Sequence, residues 1–286
     1  MRSRIFLTGS RGQVGWELHR ALGVLGEVLA TDAGDLDLTD ADAVRGAIHA
    51  FRPTHIVNPA AFTAVDRAES ESDLAFAVNE RAVRVLAEEA RGVGARMVHF
   101  STDYVFDGKS AVPYRETDPT EPASVYGASK LAGERALAAS GVRALCFRTS
   151  WVYAARGANF LRTMLRLARA GAPLRVVSDQ VGAPTWGRAL AEAVVVAIAR
   201  DAFTTEAPVY HLTGGGSCSW YDFAKRIFEL AGLAVDLTPI PTSAYPTPAR
   251  RPAFSRLDCG RASRELGVAL PHWEESLALV DPLTVL

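Results

Sequence analysis

The stretch LTGSRGQVGWEL, residues 7–18, decides the fold. Gly9, Gly12 and Gly15 are spaced G-x-x-G-x-x-G, directly after a short apolar run and directly before a helix-like pattern. Glycines let the backbone turn sharply and approach a pyrophosphate, and the amino terminus of the helix supplies N–H donors. A tight strand-to-helix turn without a ligand is the alternative. The strand–loop–helix context favours a dinucleotide-binding loop.

Short apolar runs alternate with helical patterns through the first half of the chain. The predicted strands are residues 4–8, 27–31, 55–58, 96–101 and 142–148. The predicted helices are residues 13–25, 40–51, 72–91 and 125–139, with Thr39 as the cap of the second and Asp42 at its capping-box position. This alternation predicts an α/β fold with a Rossmann-type, doubly wound parallel sheet covered on both faces.

The second half of the chain is less regular. It predicts helices at residues 159–170, 185–199 and 220–231, and strands at 174–177 and 209–212. A proline-rich stretch follows at residues 238–258, and Tyr245, Arg250, Arg251, Phe254 and Arg256 within it favour a ligand-facing loop over a plain linker. We expect an NAD(P)-binding domain at residues 1–170, to which a segment near 173–212 returns. Residues 171–286 then form mainly a smaller, C-terminal substrate-binding lobe.

Composition and charge exclude several classes of protein. The chain has 49% hydrophobic and 22% charged residues and a net charge of -1, which argues against non-specific nucleic-acid binding. Cys146, Cys218 and Cys259 are far apart, so they indicate neither a zinc site nor a disulfide framework. No apolar stretch is long enough for a membrane helix or a signal peptide. We expect a soluble, cytoplasmic protein.

Two residues give conflicting signals about the nicotinamide cofactor. Asp32 follows the second strand, where an acid binds the ribose 2′-hydroxyl of NAD(H). Arg11, inside the glycine loop, instead suits the 2′-phosphate of NADP(H).

The segment VYGASK, residues 125–130, places Tyr126 one helical turn before Lys130. An ammonium group close to a phenol favours the phenolate, so we expect Lys130 to lower the pKa of Tyr126 toward acid–base exchange. The chain has only two other lysines, Lys109 and Lys225, among 31 basic residues. A lysine at this position therefore favours a need for a compact ammonium group over an ordinary helix surface.

The segment STDYVFDG, residues 101–108, begins where the fourth strand ends. Ligands of open α/β sheets bind at the carboxyl ends of the strands, so the hydroxyl of Thr102 is a candidate to hold a substrate oxygen. Local backbone hydrogen bonds are the alternative. The presence of Tyr126, Lys130 and the glycine loop favours catalysis.

Together these motifs resemble the extended short-chain dehydrogenase/reductase family, and within it the dTDP-4-dehydrorhamnose reductases. The narrower resemblance covers nearly the whole chain and is carried by GQVGWEL, AAFTAVDRAE, STDYVFDG, VYGASKLAGE, FRTSWVY, SDQVGAPT and PTSAYPTPARRPAFSRLD. Pro59 and Phe62 depart from the pattern, which leaves the cofactor contact at Phe62 less defined.

The resemblance implies reduction at C4 of a 4-keto sugar carried on thymidine diphosphate. The implied catalytic residues are Thr102, Tyr126 and Lys130. The cofactor residues, from the glycine loop and the resemblance together, are Gly9, Arg11, Gly12, Gln13, Val14, Gly15, Asp32, Asp37, Leu38, Ala61, Phe62, Thr63, Tyr126 and Lys130. The substrate residues are Thr102, Asp103, Tyr104 and Trp151, with Arg250 and Arg251 for the diphosphate.

The resemblance also favours NADPH over NADH, because relatives often accept both and NADPH is commonly named. It associates Mg²⁺ and a homodimer with some relatives, although no carboxylate cluster in the sequence can be assigned to a metal. Two other interpretations stay open: a reductase or epimerase acting on another nucleotide sugar, and a non-catalytic, NADP-binding regulatory subunit of the same fold.

Overall fold

A six-stranded parallel sheet forms the centre of the computed structural model, which describes residues 2–280. The outer ends of the two predicted domains, residue 1 and residues 281–286, lie outside the described residues. The strands are β1 (Ser3–Leu7), β2 (Gly26–Ala30), β3 (His55–Asn58), β4 (Arg96–Thr102), β5 (Ala144–Thr149), β6 (Val152–Tyr153), β7 (Leu174–Val177), β8 (Val181–Gly182), β9 (Thr185–Trp186), β10 (Val209–His211), β11 (Cys218–Ser219) and β12 (Leu237–Ile240). The sheet order is β10-β5-β4-β3-β1-β2, so the winding reverses between β1 and β3.

Helices cover both faces of this sheet. They are α1 (Gln13–Leu22), α2 (Ala41–Phe51), α3 (Val65–Ala68), α4 (Ser72–Phe76), α5 (Ala82–Gly92), α6 (Val125–Ser140), α7 (Phe160–Arg169), α8 (Gly187–Ala199), α9 (Trp220–Ala231), α10 (Gly260–Leu266) and α11 (Trp273–Ala278). One apolar core packs α1 and α8 against the sheet, and a second packs α2, α5 and α6 against the opposite face. The predicted doubly wound α/β fold is confirmed.

A third apolar core lies in the second half of the chain, under α7, α9 and α11. Tyr153 and Phe223 are fully buried there, with ring centroids 5.3 Å apart. Three two-stranded sheets flank this core: β7 with β12, β8 with β11, and β6 with β9. Between β9 and β11 the chain returns to the main sheet, where α8 packs against α1 and β10 pairs with β5.

The helix predicted at residues 72–91 is present as a continuous helical run, in which α4 leads through a π-helical turn at Ala77–Arg81 into α5. Two other predicted helix boundaries are wrong by two or more residues. The helix predicted at residues 13–25 ends at Leu22, and a turn follows in which the Leu25 amide donates to the Leu22 carbonyl. Residues 185–186 pair with β6 as strand β9, so α8 begins only at Gly187.

The predicted cap of α2 is also wrong. The carboxylate of Asp40 accepts the amides of Asp42 and Ala43, which makes Asp40 the capping residue. The hydroxyl of Thr39 instead donates to Asp37 at 2.7 Å. An aspartate one position later competes better for the first amides, because its carboxylate can accept two of them.

Candidate active site

The glycine loop lies where the sheet reverses its winding. Gly9 has φ +55°, and a Cβ there would come within 2.9 Å of the Ala60 backbone, which follows β3. The Gly12 amide donates to the Gly9 carbonyl at 3.0 Å. Gly12 caps α1 without any side-chain hydrogen bond, so the first-turn amides keep their capacity for an anion. The β1–α1 turn therefore has the geometry of a pyrophosphate-binding loop.

A cleft of about 670 Å³ runs along the carboxyl ends of the parallel strands. It is lined by every residue that the sequence predicts for the cofactor: Gly9, Arg11, Gly12, Gln13, Val14, Gly15, Asp32, Asp37, Leu38, Ala61, Phe62, Thr63, Tyr126 and Lys130. Four residues predicted for the substrate line the same cleft: Thr102, Asp103, Tyr104 and Trp151. The structure thus brings residues from five strand ends together in one cavity.

At one end of the cleft, Asp32 and Arg11 are directly linked. The Asp32 carboxylate accepts the Arg11 backbone amide at 2.8 Å, and the Ala33 amide binds its other oxygen. The Arg11 guanidinium lies 3.8 Å from Asp35, and its side chain is 68% exposed. An acid that can bind ribose hydroxyls and an arginine that can bind a phosphate therefore occupy the same end.

The other end holds Thr102, Tyr126 and Lys130. Thr102 ends β4, and Tyr126 and Lys130 lie on one face of the first turns of α6. The side chain of Ser124 caps this helix by accepting the Gly127 amide at 3.1 Å. A Cβ at Gly127 would collide with the Tyr104 carbonyl, so only glycine allows α6 to pack this closely. The Lys130 ammonium donates to the Phe100 carbonyl at 2.6 Å.

Burial sets the protonation states at this end. Burial raises the pKa of Tyr126 to about 12, with a hydrogen bond to Thr102 acting in the opposite direction. Burial also lowers the pKa of Lys130 to about 8. The prediction that Lys130 lowers the pKa of Tyr126 is therefore wrong for this structure, because desolvation of the phenol outweighs any other influence on it. Tyr126 is a protonated phenol at neutral pH.

Asp103 is a buried acid beside this trio. Its Oδ1 accepts the Thr102 hydroxyl at 2.9 Å, whereas its Oδ2 has no hydrogen-bond partner among the described residues. Burial raises the pKa of Asp103 to about 6, and the nearby hydroxyls of Ser255 and Thr102 act in the opposite direction. A buried acceptor without a partner is costly, and such groups are typical of functional sites.

The sequence pattern did not reveal Asn79, which connects the two sides of the cleft. Asn79 is fully buried in the π-helical turn, and its amide binds both the N–H and the C=O of Phe62. It also donates to Ser129 Oγ at 3.0 Å, and that hydroxyl donates to the Tyr126 carbonyl. The signal that could have found it is an asparagine on the buried face of an otherwise apolar helical pattern.

A family model described as the RmlD substrate binding domain matches residues 3–283. The chain belongs to this family. The dTDP-4-dehydrorhamnose reductase of Burkholderia thailandensis is 48% identical to it over 96% of this chain and 97% of that protein. The enzyme of the same name from Escherichia coli K12 is 46% identical over 94% of each chain. The resemblance to the dTDP-4-dehydrorhamnose reductases is confirmed.

Solved structures of RmlD-family proteins agree with this fold. The dTDP-4-dehydrorhamnose reductase of Clostridium acetobutylicum has a TM-score of 0.91 at 40% identity, and covers 96% of this chain and 97% of that one. The Bacillus anthracis reductase in complex with NADP has a TM-score of 0.92 at 36% identity, with 97% and 98% coverage. Membership of the family and the Rossmann-type architecture therefore rest on independent similarities of sequence and structure.

Two arginines predicted to meet the diphosphate do not line the large cleft. Arg250 and Arg251 border a small neighbouring pocket that also includes Tyr104. Arg251 forms an ion pair with Asp66 at 2.7 Å, and the Ala249 amide binds the same carboxylate. The proline-rich stretch is thereby fixed to α3, and Tyr104 separates its arginines from the catalytic trio.

Residues 2–280 contain no group of three or more His, Cys, Asp or Glu side chains that could hold a metal ion. They also contain no helix long and apolar enough to cross a bilayer.

Proposed function

We propose that this chain reduces the C4 keto group of dTDP-4-dehydro-L-rhamnose to dTDP-L-rhamnose, with NADPH or NADH as the reductant. The observation that carries the proposal is that Thr102, Tyr126 and Lys130 line the same cleft as the glycine loop. The relatives named dTDP-4-dehydrorhamnose reductase support the substrate. The related structure in complex with NADP supports the cofactor.

The residues of the cleft fit a nicotinamide dinucleotide. The uncapped first turn of α1 suits the pyrophosphate, and Asp32 suits the adenosine ribose. Lys130, with three donor hydrogens, can hold the second ribose. When bound, the reduced nicotinamide supplies a hydride to the carbonyl carbon.

Tyr126 is the proton donor in this proposal. Its phenol remains protonated at neutral pH, so it can transfer a proton to the carbonyl oxygen as negative charge develops there. In the structure the Thr102 hydroxyl donates to Asp103. Rotation of this hydroxyl can direct its hydrogen to the carbonyl oxygen of the substrate. A hydride on carbon and a proton on oxygen complete the two-electron reduction.

The remaining predicted residues have substrate roles in this proposal. Asp103, Tyr104 and Trp151 line the cleft next to the trio and would contact the sugar. Arg250 and Arg251 would meet the diphosphate from the neighbouring pocket. Support comes from Arg251 Nη1, which is buried and has no hydrogen-bond partner within the described residues.

We propose NADPH as the preferred cofactor, because the exposed guanidinium of Arg11 can reach a 2′-phosphate beside Asp32. The Mg²⁺ that the resemblance associates with some relatives stays a prediction. Three free cysteines, Cys146, Cys218 and Cys259, are consistent with a reducing compartment and support a cytoplasmic location. The homodimer that the resemblance implies for some relatives stays a prediction.

The proposal divides the chain into two functional parts. Residues 1–170 form the cofactor-binding domain, to which residues near 173–212 return, and residues 171–286 form mainly the substrate-binding lobe. Support comes from β10 and α8, which pack in the first part, and from the separate apolar core under α9.

The test is the sugar-dependent oxidation of NADPH or NADH, followed by its near-ultraviolet absorbance, with freshly prepared dTDP-4-dehydrorhamnose. Formation of dTDP-rhamnose by the wild-type protein, with loss of turnover in Tyr126→Phe, is the expected result. Turnover only with a different nucleotide sugar would replace the substrate. Cofactor binding without oxidation of any keto sugar would favour the regulatory-subunit interpretation.

A further inference from the structure

Trp151 and Trp220 stack on each other, and Trp220 also packs against the third apolar core. Their ring centroids are 3.5 Å apart and their planes differ by 4°. Phe160 packs against Trp220, with the ring centroids 4.6 Å apart. The two indoles come from different parts of the chain: Trp151 follows β5 of the main sheet, and Trp220 opens α9 of the C-terminal lobe.

The backbone of Trp151 is strained. Its φ of +47° places a bulky side chain in the left-handed region, which such residues rarely adopt. Strain of this kind persists only where the surroundings fix the residue, and it is concentrated at functional sites. Two contacts hold Trp151 in place. The Thr185 amide donates to the Trp151 carbonyl at 3.1 Å, and the indole packs closely on Gly182.

The position of Trp220 is itself well defined. Ser219 caps α9 by accepting the Asp222 amide at 3.1 Å, and the Asp222 carboxylate accepts the Ser219 amide in return. This reciprocal capping fixes the first turn of the helix, which carries Trp220. Trp151 lines the cleft beside the catalytic trio, whereas Trp220 does not. Trp220 can therefore influence a ligand in the cleft through its contact with Trp151.

We propose that Trp220 is a positioning residue for the nucleotide-sugar subsite. By stacking on Trp151, it holds that indole as a rigid wall of the cleft and couples the C-terminal lobe to the reacting centre. This inference rests on the proposed function, because the ligand that Trp151 restrains is the sugar nucleotide. A rigid aromatic wall aligns the keto carbon without taking part in hydride or proton transfer.

The experiment replaces Trp220 by Leu and measures steady-state kinetics together with circular dichroism of the indoles. Stacked indoles produce an exciton couplet, which Trp220→Leu should abolish. Because an aromatic pair of this kind stabilises by a modest amount, KM for the sugar nucleotide should rise about 3–10-fold while kcat changes less than about 2-fold. Trp220→Phe should restore most of the affinity.

Two further variants make the result specific. Trp186→Leu removes another partly buried tryptophan, on which no ring of residues 2–280 is stacked, and should leave both the couplet and KM unchanged. Gly182→Ala places a methyl group against the Trp151 indole while Trp220 stays in place, and should raise KM in the same way. An unchanged KM in Trp220→Leu after loss of the couplet would overturn the inference. Equal losses in Trp220→Leu and Trp186→Leu would overturn it as well, since they would indicate general damage to the lobe.

The binding of dTDP-rhamnose, measured by calorimetry, separates this inference from the proposed reaction, because this ligand carries a sugar that Trp151 can contact. If the wild-type protein binds dTDP-rhamnose but does not reduce the keto sugar, the proposed reaction fails and the affinities of the variants for dTDP-rhamnose still test the stack. Weaker dTDP-rhamnose binding in Trp220→Leu and Gly182→Ala, with wild-type binding in Trp186→Leu, supports positioning by Trp220. Wild-type dTDP-rhamnose binding in all three variants, in a protein without reductase activity, contradicts it.

Discussion

Arg148 and Glu134 form a two-pronged ion pair beneath the catalytic helix. Arg148 Nε lies 2.8 Å from Glu134 Oε1, and Nη2 lies 2.7 Å from Oε2. The two side chains are only 5% and 6% exposed. Because Glu134 is one turn after Lys130 on α6 and Arg148 is on β5, the pair fixes the catalytic helix to the sheet.

Removing one partner of this pair should destabilise the protein strongly. In Arg148→Met the buried Glu134 carboxylate loses its counter-ion, so the free energy of unfolding should fall by about 3–5 kcal/mol. Urea denaturation at neutral pH measures the change. The matched control is Arg188→Met, which removes an exposed pair with Glu192 and should cost less than about 1 kcal/mol. Similar losses in both variants would show that burial of the pair is energetically unimportant.

Tyr126→Phe should lose about 10²–10⁴-fold in kcat, because it removes the proton donor and leaves the rest of the cleft intact. Cofactor affinity, measured by fluorescence titration, should change little. Tyr153→Phe is the matched control, since the Tyr153 hydroxyl is buried without a partner in the described part of the chain. Near wild-type turnover by Tyr126→Phe would remove the tyrosine from its proposed role.

Arg11→Ala should weaken the binding of NADPH by about 10–100-fold and the binding of NADH by less than about 3-fold. The loss for NADPH corresponds to one charge-assisted hydrogen bond. The substitution keeps the backbone amide that holds Asp32, so the ribose end of the cleft should remain formed. Dissociation constants for both cofactors test this, with the exposed Arg20→Ala as control. Equal losses for NADPH and NADH would mean that Arg11 does not bind the 2′-phosphate.

Asp103→Asn should change how stability depends on pH. Burial raises the pKa of Asp103 to about 6 from its ordinary 3.8, so the folded protein binds this proton more tightly than the unfolded chain. The contribution of Asp103 to stability is therefore present below about pH 4 and is lost as the pH rises to about 6. Relative to the wild type, the free energy of unfolding of Asp103→Asn should increase by about 2–3 kcal/mol between these two pH values. Parallel stability profiles between pH 4 and 7 would contradict the raised pKa.

Asp103→Asn should lose activity although it gains stability, because it changes a group that lines the cleft. Asp103 Oδ2 has no partner among residues 2–280, and the asparagine would replace one acceptor oxygen of the cleft by an N–H donor. Stability and substrate binding are expected to change in opposite directions, as they often do at functional sites. The urea series and KM for the sugar nucleotide can be measured on the same variant.

Much of the sheet could be predicted because its signals are local. The predicted strand at residues 55–58 matches β3, and the helix at 220–231 matches α9. The π-helical turn inside the helix predicted at residues 72–91 could not be predicted, because Asn79, which lies in that turn, makes two hydrogen bonds with the distant Phe62. Two-residue strands such as β8 and β11 could not be predicted, since pairing across the lobe defines them and no periodicity does.

The sequence by itself determined the glycine loop at the end of β1, the alternation of strands and helices, and the placement of Tyr126 and Lys130 on one helix face. These features depend on spacing between near neighbours, which the sequence contains in full. Only the tertiary structure decided the stack of Trp151 on Trp220, the ion pair of Arg251 with Asp66 and the raised pKa of Tyr126. Each of these requires distant segments to meet or water to be excluded, and both happen only when the sheet and the lobe pack together.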